Sequence, residues 1–417
     1  MDILLNHTSF DSEWLLESSD SYYCVENTPH LASAVALDQA IMQFSDDLSN
    51  KKILKYPKLN LIESEDDLNL ISQILWDDVF LPLKIPEYFK FDIKNVMLEV
   101  EKVFKGSLAK LQLPELESEV KVLFNGNKNE FFQEIIDKNK KNFGESKLAV
   151  KLDLDKILPI LEEQIKHFSF ETFQKALESL NQRYEAMAID FLGQALNNIK
   201  GTVRYHIIQL KNNIITKTNR LVANYFTILK NGKAACNNGW IINSDPLEDF
   251  ACSGQFHYLR RTIIIWGDLV KLRYGKTKEE SPFLWKHMKE YVRKMAKVFH
   301  GFRLDNAHST PLHVGEYLMR KARKSNTDLL IISELFTGNS DLDAMFSKKI
   351  GFNGLVREAQ RVRFLRIFNI LNVGKCWDTP SLSNTLNNYG HIWKKTVGSL
   401  DKFFEMDLKT GKISKKT

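Results

Sequence analysis

Very little in this chain of 417 residues suggests a metal site, a disulfide scaffold or a membrane anchor. Its four cysteines, Cys24, Cys236, Cys252 and Cys376, are scattered and form no CxxC pair. That spacing predicts neither zinc ligation nor a disulfide framework, and it points to a reducing, cytoplasmic compartment. No apolar run approaches the length of a membrane span, and Asp2 and His7 interrupt the opening residues too early for a signal peptide. No membrane partner is expected. Neither GxGxxG nor GxxxxGK occurs, which removes the dinucleotide and phosphate-loop readings. A long basic run is also missing. The net charge of +6, from 58 basic and 52 acidic residues, is mild for this length. No nucleic-acid partner is expected, and no metal or other cofactor.

What is present is globular: 43% hydrophobic and 11% aromatic, enough for one large domain or two or three ordinary ones. "MDILLNHTS" reads as a short strand over Ile3 to Leu5 running into a polar loop. From about residue 59 to 200 the spacing of apolar residues is helical, as in "DDLNLISQILWDDVF" and "FETFQKALESLNQRYEAMAIDFLGQAL". Loops are expected around Gly126 and Gly144. Strand-like runs, "YFTIL" and "RTIIIW", return between residues 222 and 274 amid a dense mixture of aromatic and polar residues.

Next comes a helix that Ser281 and Pro282 should start. After it the order is strand "FRLD", helix "TPLHVGEYLMRKARK" with Thr310 as its expected cap, and strand "LLIISE". That is a βαβ unit, which predicts neighbouring parallel strands in an α/β fold.

Two carboxylates stand at the ends of those strands. Asp305 closes the first, and Glu334, 29 residues later, closes the second. On neighbouring parallel strands, about 4.8 Å apart, both would lie at the carboxyl-terminal edge where α/β folds build their sites. Carboxyl groups roughly 5–5.5 Å apart suit a retaining glycosidase or transglycosidase, one attacking the sugar and the other trading a proton. Arg303 shares a strand face with Asp305. An opposite charge at that distance favours the ionised form a nucleophile needs. The same spacing equally fits a buried Arg–Asp pair with a Glu at the next strand end and no catalysis. Spacing alone leaves both open.

The wording of these segments goes further. "GFRLDNAHSTPLHVGEY", "SELFTGNSDLD", "NGWIINSDPLEDF", "YLRRTIIIWGDLVKLRYG" and "DILLNHTS" together resemble the eukaryotic glycogen debranching enzymes, a branch of the α-amylase superfamily. The likeness covers roughly residues 1–50 and 235–360. It implies a partial (β/α)8 TIM barrel of which strands 3 to 5 are recognisable, with a large, mainly helical insertion. The expected division is a barrel segment over 1–55, the insertion over 56–225, a second barrel segment over 226–360, and an unassigned tail over 361–417.

By the same resemblance, Asp305 corresponds to the nucleophile, Glu334 to the general acid/base and Arg303 to the orienting cation. Asp2, Asn6 and His7 match the first superfamily motif, and His308 matches a position flanking the acceptor. Trp240, Tyr258, Trp266 and Tyr274 become candidates for stacking on glucose, with Asp268 and Arg273 beside them; ordinary core packing is the alternative for each aromatic. The implied reaction is 4-α-glucanotransfer on glycogen or α-1,4-glucan chains.

The family's third acid, an Asp directly after a His, has no counterpart, because the dipeptide His-Asp does not occur. The chain therefore reads as a piece of a longer enzyme. Alternatives are an inactive α-glucan-binding remnant and another transglycosidase of the α-amylase superfamily.

Overall fold

The computed structural model describes residues 1–52, 59–108, 140–142, 150–152, 170–209, 213–241, 244–356, 404–406 and 413–415. The loop expected around Gly126 lies outside them, as does Gly144 itself, which falls between the paired strands Lys140–Asn142 and Val150–Leu152. Within the tail, Phe404–Met406 and Ile413–Lys415 form an antiparallel pair.

The chain divides into two compact units. One comprises Met1–Thr8, Asn243–Glu248 and Leu272–Thr417. Its centre is a four-stranded parallel sheet in the order Asp2–Ile3, Gly301–Leu304, Leu330–Glu334, Gly354–Val356. The fold is thus α/β, with the parallel neighbours that the βαβ pattern predicts. The last strand is a correction, since the sequence reading placed no strand after Glu334. Three residues of "NGLV" carry too little pattern to stand out.

Alternation divides the sheet's faces. Phe302, Leu304, Ile331 and Ser333 are buried on one face. Arg303, Asp305, Ile332 and Glu334 belong to the other phase, with Arg303 level with Ile332.

Two helices flank the strands in sequence. Pro282–Val298 starts where expected, with Pro282 in its first turn, and buries Leu284, Trp285, Met288, Val292 and Ala296 at helical spacing. Leu312–Arg323 buries Val314, Gly315, Leu318, Met319 and Ala322. Thr310 is not its cap: Pro311 holds that position, and the Thr310 hydroxyl is buried without a hydrogen-bond partner. The proline has displaced the cap by one residue. Gly315 packs close to the next element: a Cβ there would lie 3.0 Å from Ile350 Cδ1, which would have to shift slightly to admit it.

The other unit, Ser9–Ile242 with Asp249–Lys271, is largely helical. Ala32–Ser49, Glu65–Ile74, Ile93–Leu108 and Phe170–Val203 are its principal helices. Ser64 begins the second with a capping box closed by Asp67. Beside them runs an antiparallel sheet of Phe226–Ile228, Ala234–Trp240 and Ile264–Lys271. Its middle strand, "AACNNGW", was not predicted, since Asn and Gly are depleted in strands. Gly239 explains the tolerance: a Cβ there would lie 2.3 Å from the Ile264 carbonyl oxygen, at a point where the register shifts.

A buried ion pair ties this unit's helices to its sheet. Arg261 Nη1 donates to Asp38 Oδ1 at 2.7 Å, both side chains being 3% exposed. Asp38 also accepts the backbone N–H groups of Tyr225 and Phe226 at 2.9 and 3.1 Å. Arg261 donates to the Ala223 carbonyl and lies 3.9 Å over the Tyr225 ring.

Candidate active site

The parallel sheet brings four charged residues of the first unit, Asp2, Arg303, Asp305 and Glu334, to one edge. Pairing continues one residue past each strand: the Asp305 N–H donates to the Ile3 carbonyl, and the Leu335 N–H to the Val356 carbonyl. Asp305 and Glu334 therefore leave adjacent strands at the same level, held by main-chain bonds on both sides. Arg303 lies between them. Its Nη1 is 3.0 Å from Asp305 Oδ1 and its Nη2 is 3.0 Å from Glu334 Oε1. One planar guanidinium thus serves two carboxylates with separate arms. Asp2, on the first strand and paired in register with Arg303, adds a longer contact of 3.4 Å to the same Nη1.

The electrostatics follow from this crowding. Burial, together with the neighbouring Asp305 carboxylate, pushes the Glu334 carboxyl above its ordinary range, against the opposing pull of the Asn306 N–H and Arg303. Arg303 is pushed up by Glu334, Asp305 and Asp2, which outweigh the opposing effect of burial. A carboxyl with a raised pKa beside a second carboxylate and a shared cation is an arrangement able to deliver and retrieve a proton.

His308 sits behind this edge. Its Nδ1 accepts the Phe336 N–H at 3.4 Å, and its ring lies against the Glu334 backbone carbonyl. Burial lowers its pKa to about 4, so the ring is neutral near pH 7. Asn6 and His7 are buried at 3% and 6%, and His7 Nδ1 lies 2.8 Å from Asn6 Oδ1. The Asn6 carbonyl accepts the Leu272 N–H.

The remaining candidates separate by burial. Tyr274 is 1% exposed, bonds the Leu5 carbonyl and packs edge-on against Trp285; it is a core residue of the first unit. Arg273, in the same unit, is engaged by the Glu280 carbonyl and carboxylate. Tyr258 belongs to the second unit, is 2% exposed and bonds the Asn237 carbonyl. Neither tyrosine offers a free ring face to a sugar. Also in that unit, Trp240 is 44% exposed, Trp266 is half-buried and Asp268 is exposed.

Sequence reasoning missed Asn306. Its backbone adopts φ 41° and ψ 50°, its N–H donates to Glu334 Oε2 at 3.1 Å, and its side-chain amide lies 3.5 Å from Asp305 Oδ2. The available signal was its type, since Asn is the side chain that most readily takes a left-handed turn.

Comparison with known proteins now adds to the geometry. The profile of the family described as "Glycogen debranching enzyme, glucanotransferase domain" matches residues 1–330. The chain belongs to that family. The match includes Arg303 and Asp305 and ends four residues before Glu334. The glycogen debranching enzyme of Saccharomyces cerevisiae is 33% identical over 422 aligned positions, covering 97% of this chain and 26% of the yeast protein. The chain thus spans about a quarter of the length of that relative. A share of 97% leaves too few residues over to exclude 361–417, so the similarity runs on into the tail where the quoted phrases stop.

Proposed function

We propose that this chain carries the nucleophile and the acid/base of a 4-α-glucanotransferase acting on α-1,4-glucan chains of glycogen in the cytoplasm. The observation that carries the reading is the Arg303 guanidinium held 3.0 Å from each of Asp305 and Glu334 at one parallel strand edge. Family membership supplies the substrate class. In the first step the Asp305 carboxylate attacks the anomeric carbon as Glu334 protonates the departing glycosidic oxygen. A covalent glycosyl ester on Asp305 results. In the second step Glu334, now ionised, takes the proton from the 4-hydroxyl of an acceptor chain, which displaces Asp305. The raised Glu334 pKa suits the first role, and Arg303, 3.0 Å from each acid, lies beside whichever carboxylate carries the charge at each step.

Asp2, Asn6, His7 and His308 complete the proposed sugar site within this unit. In the other unit, taken by itself, Trp240 keeps an exposed ring that could stack on a glucan chain. The four parallel strands are read as consecutive staves of an α-amylase-type barrel.

The test is to incubate the chain with a single maltooligosaccharide and follow the product lengths. Longer and shorter chains should appear together, Asp305→Asn should abolish them, and Glu334→Gln should slow transfer roughly 10²–10⁴-fold. A folded chain that binds the oligosaccharide without redistributing it would replace this reading with that of a binding module.

A further inference from the structure

The geometry points to Asn306 as a positioning residue that ties the two acids together, its left-handed backbone turning its own N–H onto Glu334 while its side-chain amide reaches Asp305. The inference rests on the proposed roles of those acids.

A positive φ is uncommon for a residue with a Cβ and is found where surrounding structure enforces it. At Asn306 the enforcement is visible. The preceding residue is pinned to the first strand through its N–H. The following residues form the tight turn Ala307–Ser309, closed by the Ser309 N–H on the Asn306 carbonyl at 2.9 Å. Between these two anchors the chain changes direction, and the Asn306 N–H is directed at Glu334 Oε2.

The groups facing Glu334 are Arg303 and Asp305 from the neighbouring strand end and His308 from the turn, with Asp2 reaching Arg303 from the first strand. The charged contacts change as the reaction proceeds. Arg303 holds an ionised Glu334 more tightly than a protonated one, and Asp305 loses its charge when it forms a glycosyl ester. The Asn306 N–H is neutral and can donate to Oε2 in both protonation states of Glu334. It therefore fixes the carboxyl's orientation throughout a cycle in which its other partners vary. The side-chain amide at 3.5 Å gives Asp305 a looser, uncharged neighbour that does not compete with Arg303 for Oδ1.

The first experiment uses the wild-type chain with ¹⁵N-asparagine. The Asn306 amide shift should titrate with the midpoint of the Glu334 carboxyl, followed by ¹³C in labelled glutamate and assigned through Glu334→Gln, and that titration should vanish in Glu334→Gln. Two substitutions then separate backbone from side chain. Asn306→Gly accepts the left-handed turn and should leave the Glu334 midpoint in place. Asn306→Ala resists the turn and should raise that midpoint by about one pH unit as the N–H donor is lost. In transfer assays the alanine variant should lose kcat more than KM, with glycine restoring much of it. An Asn306 amide indifferent to Glu334 ionisation, or alanine and glycine variants that behave alike, would overturn the inference. A wild-type chain without glucan transfer would defeat the proposed function instead, while the titrations still decide the role of Asn306.

Discussion

Removing Asp38 is the sharpest test of how the second unit is held together. In Asp38→Ala, Arg261 keeps its place beneath a 3%-exposed surface but loses its counter-charge. The backbone N–H groups of Tyr225 and Phe226 lose their acceptor in the same step. Deleting one partner of a buried pair costs roughly 3–5 kcal/mol, because an uncompensated charge is left inside. The two orphaned N–H groups belong to the same network, so their separate desolvation terms of about 1–3 kcal/mol each overlap with that figure. A loss of about 4 kcal/mol is therefore expected, a large part of the roughly 5–15 kcal/mol that stabilises a typical domain. Urea unfolding followed by far-ultraviolet circular dichroism, which the helices of this unit dominate, reads it directly. The double variant Asp38→Leu with Arg261→Met should recover part of the loss, since it removes the stranded charge, though not the two N–H groups. A single-variant loss below about 1 kcal/mol would refute the reasoning and mean that water reaches this pair. A double variant weaker than the single one would refute it as well.

Three further outcomes follow from the geometry. His308 is held neutral, its pKa lowered from 6.5 to about 4, so the unfolded chain takes up a proton there between those values while the fold does not. Stability from this group is complete above pH 6.5 and is lost as the pH falls toward 4, by up to about 3 kcal/mol; His308→Gln should flatten that acid limb in pH-dependent melts, and an unchanged limb would remove the histidine from the account. Glu334 has the opposite sign: its raised pKa makes the fold lose stability as the pH rises above the ordinary glutamate range, and Glu334→Gln should abolish this component of the melting curve. Gly239→Ala places a Cβ 2.3 Å from a main-chain oxygen and should cost about 2 kcal/mol or more, measured by denaturant titration, whereas a neutral result would mean that the bulge opens without resistance.

The parts legible in the sequence are those in which local chemistry and tertiary placement agree. Pro282 after Ser281 marks a helix start by itself, and the "FRLD" and "LLIISE" runs around an amphipathic helix leave little choice but parallel neighbours. The pairing of Arg303 with Asp305 was readable from alternation alone. Its second arm on Glu334 was not, because that contact depends on strand register, which no local pattern states. Thr310 looked like a cap until Pro311 took the position. Strand Ala234–Trp240 was hidden because it survives on close backbone approach and not on strand-forming side chains. Tyr258 and Tyr274 show the limit for aromatics: the family resemblance makes them candidates for stacking on sugars, but only packing reveals that their hydroxyls end on main-chain carbonyls inside the core. Asn306 was hidden in another way, since its contribution comes from a backbone angle.

The register between Gly301–Leu304 and Leu330–Glu334 also determines how this edge can change over evolutionary time. Residues succeed one another along a strand by about 3.3 Å and on alternate faces. A single insertion within either strand would therefore not widen the gap between Asp305 and Glu334 by degrees; it would rotate one carboxylate to the face occupied by Phe302 and Leu304. The spacing of the two acids is in this sense quantised. Descendants of such a sheet can replace the residues that surround the pair, lengthen every loop and exchange whole helices, but a move from the proposed covalent displacement to a water-mediated one, which needs acids some ångströms further apart, has no gradual route through these strands.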